Sequence, residues 1–224
     1  MKPAFILKSL LWSSAWGAVL LFSAGTARWL SAWIYIVGRL VLGLLSSYLL
    51  HRNAPEIAVE RTRGAFQKEQ TSPDRVVLTI MMMINACSMI VAGMDQRLGW
   101  SDVPGWLQTI GAAFIAITYY TTYRVAVENK FAASVIKIQQ ARGHKVIDTG
   151  PYQYVRHPMY TGLILRQIGT PLLLGSWWGL CPASALIILV VVRILFEERA
   201  LRTGLAGYNG YIERVPYRLI PLVW

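Results

Sequence analysis

Val76–Met94 reads VVLTIMMMINACSMIVAGM, nineteen residues without one Asp, Glu, Lys or Arg. A helix needs about 20 apolar residues to cross a hydrocarbon core of roughly 30 Å, so this stretch is read as a membrane span. Working outward from it, Ser9–Ala27 and Val103–Tyr123 are equally free of charge, and Trp29–Leu50 is broken only by Arg39. Gln167–Val192 is a longer charge-free run, punctuated by Pro171, Gly175, Gly179 and Pro182. Extended back to Met159 and forward to Phe196, it has room for two helices turning at Leu174–Gly179. The expected fold is an all-α integral membrane protein of about six transmembrane helices, the fifth short and its hairpin tight. Of the 224 residues 55% are hydrophobic and only 15% charged, which excludes an ordinary water-soluble domain.

The net charge of +11 could signal nucleic acid, but its placement points to topology. With the N-terminus in the cytoplasm, eighteen Lys and Arg fall inside, including Lys2, Lys8, Arg63 and Lys68. Only Arg28 and Arg97 fall outside, while Arg39 and Arg166 lie within spans. That asymmetry follows the positive-inside rule, places both termini in the cytoplasm, and draws anionic headgroups to the same face. No basic face interleaved with aromatics offers itself to nucleic acid. Lys2, Lys8 and Ser23–Ala27 look like a secretory signal, but the apolar run exceeds a typical signal core, so an uncleaved first helix is expected. Cys87 and Cys181 sit in apolar runs at no ligand or disulfide spacing and are read as small apolar fillers; no metal is expected.

Polar residues collect in two places. Ile57–Arg63 is expected to form a short helix along the membrane, within a cytoplasmic loop at 51–75. The second collection follows the fourth span, where Phe131, Val135 and Ile138 give Glu128–Arg142 a mildly amphipathic helical spacing. Lys145–Asp148 reads as extended and Gly150-Pro151 as a turn. Arg156-His157-Pro158-Met159-Tyr160 then runs straight into an apolar span. Proline suits a first helical turn, so the free amides of that helix start face the polar loop and favour anions. The sixth span closes on Arg193 and Glu197-Glu198; Arg193 and Glu197, four apart, share a helix face and are read as an intrahelical pair. The chain thus divides into 1–127, with four spans, and 128–224, with the last two spans, the tail and the chemistry.

In this order the C-terminal pieces are specific. Gly143-His144-Lys145-Val146, Gly150-Pro151-Tyr152, Arg156-His157-Pro158-Met159-Tyr160, Glu197-Glu198 and the Tyr208–Pro221 tail resemble the isoprenylcysteine carboxyl methyltransferase family, which includes phospholipid N-methyltransferase relatives. Asn53–Arg61, Asp74-Arg75 and Asn129–Gln139 look like its bacterial branch, so a bacterial inner membrane is the expected location. Thr203-Gly204 departs from the longer polar or acidic helix formers expected there. The resemblance implies S-adenosylmethionine as methyl donor in a pocket open to the cytoplasm, and an amphiphilic acceptor entering from the bilayer. It implies that His144, Lys145 and Val146 with Gly150, Pro151 and Tyr152 wall the donor. His157, Pro158 and Tyr160 would hold its methionine and ribose parts, and Glu197 and Glu198 its amino group or ribose hydroxyls. A carboxylate suits the donor's ammonium, while Arg156 and the helix start suit its carboxylate. Arg193 would orient an anionic acceptor, Glu197 would position Arg193 or the donor, and Arg166 would line the acceptor's route. Two other readings are an NADPH-dependent membrane sterol or steroid reductase, which shares a His-Pro and Tyr-rich ending, and a non-catalytic membrane ligand-binding protein.

Overall fold

A computed structural model describes the backbone of residues 3–62, 64, 66, 67 and 70–224, and side chains from Leu10 onward apart from Thr62. Lys2, Arg63, Lys68 and the Lys8 side chain, used above for topology, lie outside the described residues. The chain folds into α1 (Pro3–Ala24), α2 (Leu30–Asn53), α3 (Pro55–Thr62), α4 (Ser72–Leu98), α5 (Gly105–Glu128), α6 (Pro158–Leu174), α7 (Leu180–Gly204) and α8 (Tyr208–Arg214). Among the described residues there is no strand.

Three of these helices, rather than the six expected, are long and apolar enough to cross a membrane: α2, α4 and α7. The others fall short for separate reasons. The described apolar part of α1, Leu10–Ala24, is too short. Gln108, four threonines and three tyrosines dilute α5, and α6 has only 17 residues, which at 1.5 Å each reach about 25 Å. The helices nonetheless form one ring. Neighbours in space run α1, α4, α7, α6, α5, α2 and back to α1. Large apolar side chains such as Phe22, Leu30 and Ile188 point outward from it, as lipid-facing helices require. Cys87 and Cys181 are also exposed on this outer surface, so neither fills the interior as expected.

The tightest seam joins α5 to α6. A Cβ on Gly111 would lie 2.6 Å from the Gly169 carbonyl oxygen, and one on Gly169 would lie 2.7 Å from that of Gly111. The two backbones touch, as membrane helices do where small residues meet. About two turns along the seam, the Thr118 hydroxyl donates to the Gly162 carbonyl at 2.7 Å. Gly169→Leu is expected to force the helices apart at a cost of about 1–3 kcal/mol, read as a lowered thermal midpoint in detergent. An unchanged midpoint would mean the seam is not a packing constraint.

Chain direction brings the polar segments to one end of the ring. There α2, α5 and α7 finish and α4 and α6 begin. At the opposite end an apolar cluster of Leu20, Ala32, Tyr35, Met89, Ile115 and Leu174 fills the space between α1, α2, α4, α5 and α6. The α6–α7 hairpin turns over residues 175–179, where Gly175 takes a left-handed φ of 76°. The Asp95 carboxylate, at the end of α4, accepts from the Ser101 and Ser176 hydroxyls and so ties this hairpin to α4.

Candidate active site

The connection 129–157 owes its shape to side chains that take up its backbone groups. The expected amphipathic helix over Glu128–Arg142 does not form; α5 ends at Glu128 and only a 3-10 turn follows at Gln140–Arg142. The Asn129 Oδ1 accepts from the Phe131 amide at 2.9 Å, the Gln139 amide group donates to the Phe131 carbonyl at 2.8 Å, and Asp74 accepts from the Ile136 amide at 3.0 Å. These partners replace the helical ladder, while Phe131, Val135 and Ile136 still become buried. Lys145–Asp148 carries no regular structure, and the expected Gly150-Pro151 turn is a 3-10 turn over Gly150–Gln153. His157 precedes α6, with Pro158 in its first turn. The tail clamps this junction: the Arg156 and His157 amides donate to the Tyr217 and Arg218 carbonyls, each at 2.9 Å.

Between this connection and the end of α7 lies a cavity of about 290 Å³, near the lower end of the ~300–1,000 Å³ typical of small-molecule sites. Its polar wall brings together His144, Lys145, Val146, Tyr152, Arg156, His157, Pro158, Tyr160, Arg193 and Glu197. Thr118, Thr122, Leu163 and Arg166 continue the wall along α5 and α6 toward the apolar part of the ring. The polar stretch ahead of α6 and the acidic pair at the end of α7 therefore face one another. Gly150, Pro151 and Glu198 are not on the wall.

Glu198 is placed differently from the expected donor ligand. Its side chain is 4% exposed and shares an ion pair with Arg156 at 2.8 Å and with Arg218 at 3.1 Å. His157 Nε2 lies 3.3 Å from the same carboxylate. The group fastens the start of α6 and the tail to α7. Glu197, one residue earlier, turns inward. Its Oε2 accepts from the Tyr160 hydroxyl at 2.7 Å, and its Oε1 accepts no hydrogen bond among the described residues. Gly150, with a φ of 57°, backs against the Glu128 side chain instead of the cavity.

Arg193 does not form the expected pair with Glu197. Its Nε donates to Asp74 Oδ1 at 2.7 Å and its Nη2 to the Ser134 carbonyl at 2.8 Å. Asp74, fully buried, also accepts from Gln70 at 2.9 Å. Both candidates are carboxylates; Asp74, buried and with no other ion pair among the described residues, takes the guanidinium, while Glu197 turns to the cavity. Asp74 is the site residue that pattern reading missed: Asp74-Arg75 entered only as part of the family resemblance, with no role beside Arg193. Opposite it, Lys137 joins Glu60 of α3 at 2.7 Å, tying the connection to that helix as well.

Two groups on the wall are poised for polar chemistry. His144, stacked on Phe131 with centroids 4.6 Å apart, accepts from the Gln139 amide through Nδ1 at 3.3 Å. Burial holds its pKa below the ordinary histidine value, consistent with a neutral ring that can accept there. Tyr208 is buried, lines the cavity, and its hydroxyl has no partner among the described residues. An unpaired buried hydroxyl is costly, so this one suits a ligand's polar atom.

Residues 106–205, which supply all of this wall except Tyr208 and Tyr211, match the phospholipid methyltransferase family. The chain is 36% identical over 89 residues to protein-S-isoprenylcysteine O-methyltransferase B of Arabidopsis thaliana, covering 37% of this chain and 43% of that protein. It is 27% identical over 124 residues to protein-S-isoprenylcysteine O-methyltransferase of Schizosaccharomyces pombe, covering 52% of this chain and 50% of that one. These matches support an isoprenylcysteine methyltransferase-like family. The chain thus spans half or less of the length of those two methyltransferases. It covers 95% of the uncharacterized protein YpbQ of Bacillus subtilis, at 26% identity over 168 residues. The segment that forms most of the cavity wall is thus the one that the phospholipid methyltransferase match covers.

Proposed function

We propose that the protein transfers a methyl group from S-adenosylmethionine to an amphiphilic acceptor that reaches the cavity from the bilayer. The observation that carries this reading is the pairing of an inward Glu197 carboxylate with the unpartnered Tyr208 hydroxyl, on one cavity that continues along α5 and α6. Residues 128–224 would carry the catalysis, with Asp74 and Thr118 lent by earlier helices. In this reading the polar end of the ring is cytoplasmic and the membrane a bacterial inner one.

The residues present fit the donor. Glu197 complements an ammonium group and would bind it through Oε1 while Tyr160 fixes Oε2. Tyr208 meets a hydroxyl or carboxylate, and His144, Val146 and Tyr152 supply the flanking wall. When bound, the donor supplies a methyl group on a sulfonium centre. Transfer is an in-line displacement that neutralises charge, so holding both reactants in line away from water does most of the work. A carboxylate acceptor is ionised at neutral pH and needs no general base, whereas an amine or thiol would have to lose a proton.

Titrating the purified protein with S-adenosylmethionine and separately with NADPH tests the reading. Saturable binding of the first alone is expected; binding of NADPH alone would move the protein to the reductase class. Glu197→Gln keeps the Tyr160 contact but removes the charge. It is expected to weaken donor binding by about ten- to a hundredfold, from the ~1.5–3 kcal/mol of a hydrogen bond to a charged group, with the fold intact. Unchanged affinity would remove Glu197 from the donor site. Transfer of labelled methyl into native membrane extract would exclude a purely binding role.

A further inference from the structure

The cations on the cavity wall differ in what neutralises them. Lys137 is held by Glu60, Arg156 by Glu198 and Arg193 by Asp74, each at 2.7–2.8 Å. Lys145 is exposed to solvent at the polar end. Arg166 is the exception: it is partly buried, it lines the cavity, and among the described residues no carboxylate pairs with it. It stands eight residues beyond Pro158 along α6, about 12 Å deeper into the ring at 1.5 Å per residue.

A second guanidinium adds to the field there. Arg39 of α2 reaches the Tyr35 hydroxyl at 3.5 Å, and no carboxylate pairs with it among the described residues. Tyr119 of α5 interacts electrostatically with both Arg39 and Arg166 and donates to the Arg39 carbonyl at 3.3 Å. Two positive charges in the apolar part of a membrane protein are expensive unless an anion answers them. A side chain that reached out to the headgroups would escape the cost, but Arg166 faces the cavity.

We infer that Arg166 is the positioning residue for the acceptor, pairing with a carboxylate- or phosphate-type anion carried by a bilayer amphiphile. Arg193 is less suited to this role, because Asp74 already neutralises its charge and holds its Nε, while its Nη2 donates to the Ser134 carbonyl. The inference rests on the methyltransferase reading for the word acceptor, but the anion site stands on its own geometry. A planar guanidinium offers two parallel donors to such a group, so lysine is a partial substitute.

Binding to the full chain in nanodiscs of neutral phosphatidylcholine tests it, with three probes: an S-prenylated N-acetylcysteine, its uncharged carboxamide, and a dialkyl phosphate. The wild type is expected to prefer at least one anionic probe over the carboxamide by tenfold or more, and the preferred probe identifies the anion. Arg166→Gln should erase that preference, Arg166→Lys should restore part of it, and neither should alter S-adenosylmethionine affinity or thermal midpoint. A charge preference that survives Arg166→Gln overturns the assignment, as does its absence in the wild type. Loss of donor affinity with Arg166→Gln would also overturn it, by moving Arg166 to the donor's part of the cavity. If the wild type binds no S-adenosylmethionine yet keeps the anion preference, the methyltransferase reading fails and the anion site remains.

Discussion

Glu198→Ala is expected to destabilise the protein by about 3–5 kcal/mol, the range for removing one partner from a buried ion pair. The Arg156 side chain facing it is 2% exposed. It would keep only the Val215 carbonyl, at 2.6 Å, to answer its charge. The outer part of the network contributes little, because Arg218 and Arg202 are 24% and 47% exposed and are screened by solvent. The damage should spread to the tail, whose carbonyls receive the Arg156 and His157 amides. Thermal melting in detergent and limited proteolysis over 207–224 would read both effects. Glu198→Gln, which keeps the shape without the charge, should recover only a fraction. Melting indistinguishable from the parent would show that the network is not structural.

Asp74→Ala is expected to be comparably severe, again about 3–5 kcal/mol. It leaves the Arg193 guanidinium buried with only the Ser134 carbonyl and the face of Tyr160, whose ring centre is 5.6 Å away. It also releases the Ile136 amide, so the wall over residues 131–138 should loosen and donor binding should fall with stability. Arg193→Ala creates the mirror-image fault, a fully buried carboxylate without its cation. The pair is best tested as a cycle with Asp74→Leu, Arg193→Met and both together. The double variant should be more stable than the sum of the singles predicts, because apolar side chains can replace a buried ion pair that neither half survives alone. Strict additivity would sink the coupling, and normal donor binding and turnover in Arg193→Ala would remove that residue from the chemistry altogether.

Residues whose meaning is local were readable in the chain. Gly175 and Gly179 gave away the α6–α7 hairpin, Pro158 the start of α6, and the run Ile57–Arg63 a short helix, which forms over Pro55–Thr62. What stayed hidden depended on neighbours remote in sequence. Spacing of four pointed Arg193 toward Glu197, yet a buried acid 119 residues earlier holds it. Apolar spacing suggested a helix over 128–142, but Asp74, Asn129 and Gln139 satisfy that backbone individually. Glu197 and Glu198 were both expected to hold the donor, yet only Glu197 lines the cavity. Successive residues differ by about 100° around a helix, so one faces the cavity and the other the tail; which is which follows only from what surrounds α7.

The reach from Asp74 to Arg193 also orders the protein's birth. When α4 leaves the ribosome its opening acid has only neutral Gln70 beside it, and its cation does not arrive until α7 emerges 119 residues later. The part of the wall that Asp74 and Arg193 hold together therefore cannot close before α7 is made. A chain interrupted before that point would leave a carboxylate without its cation where α4 and α7 should meet.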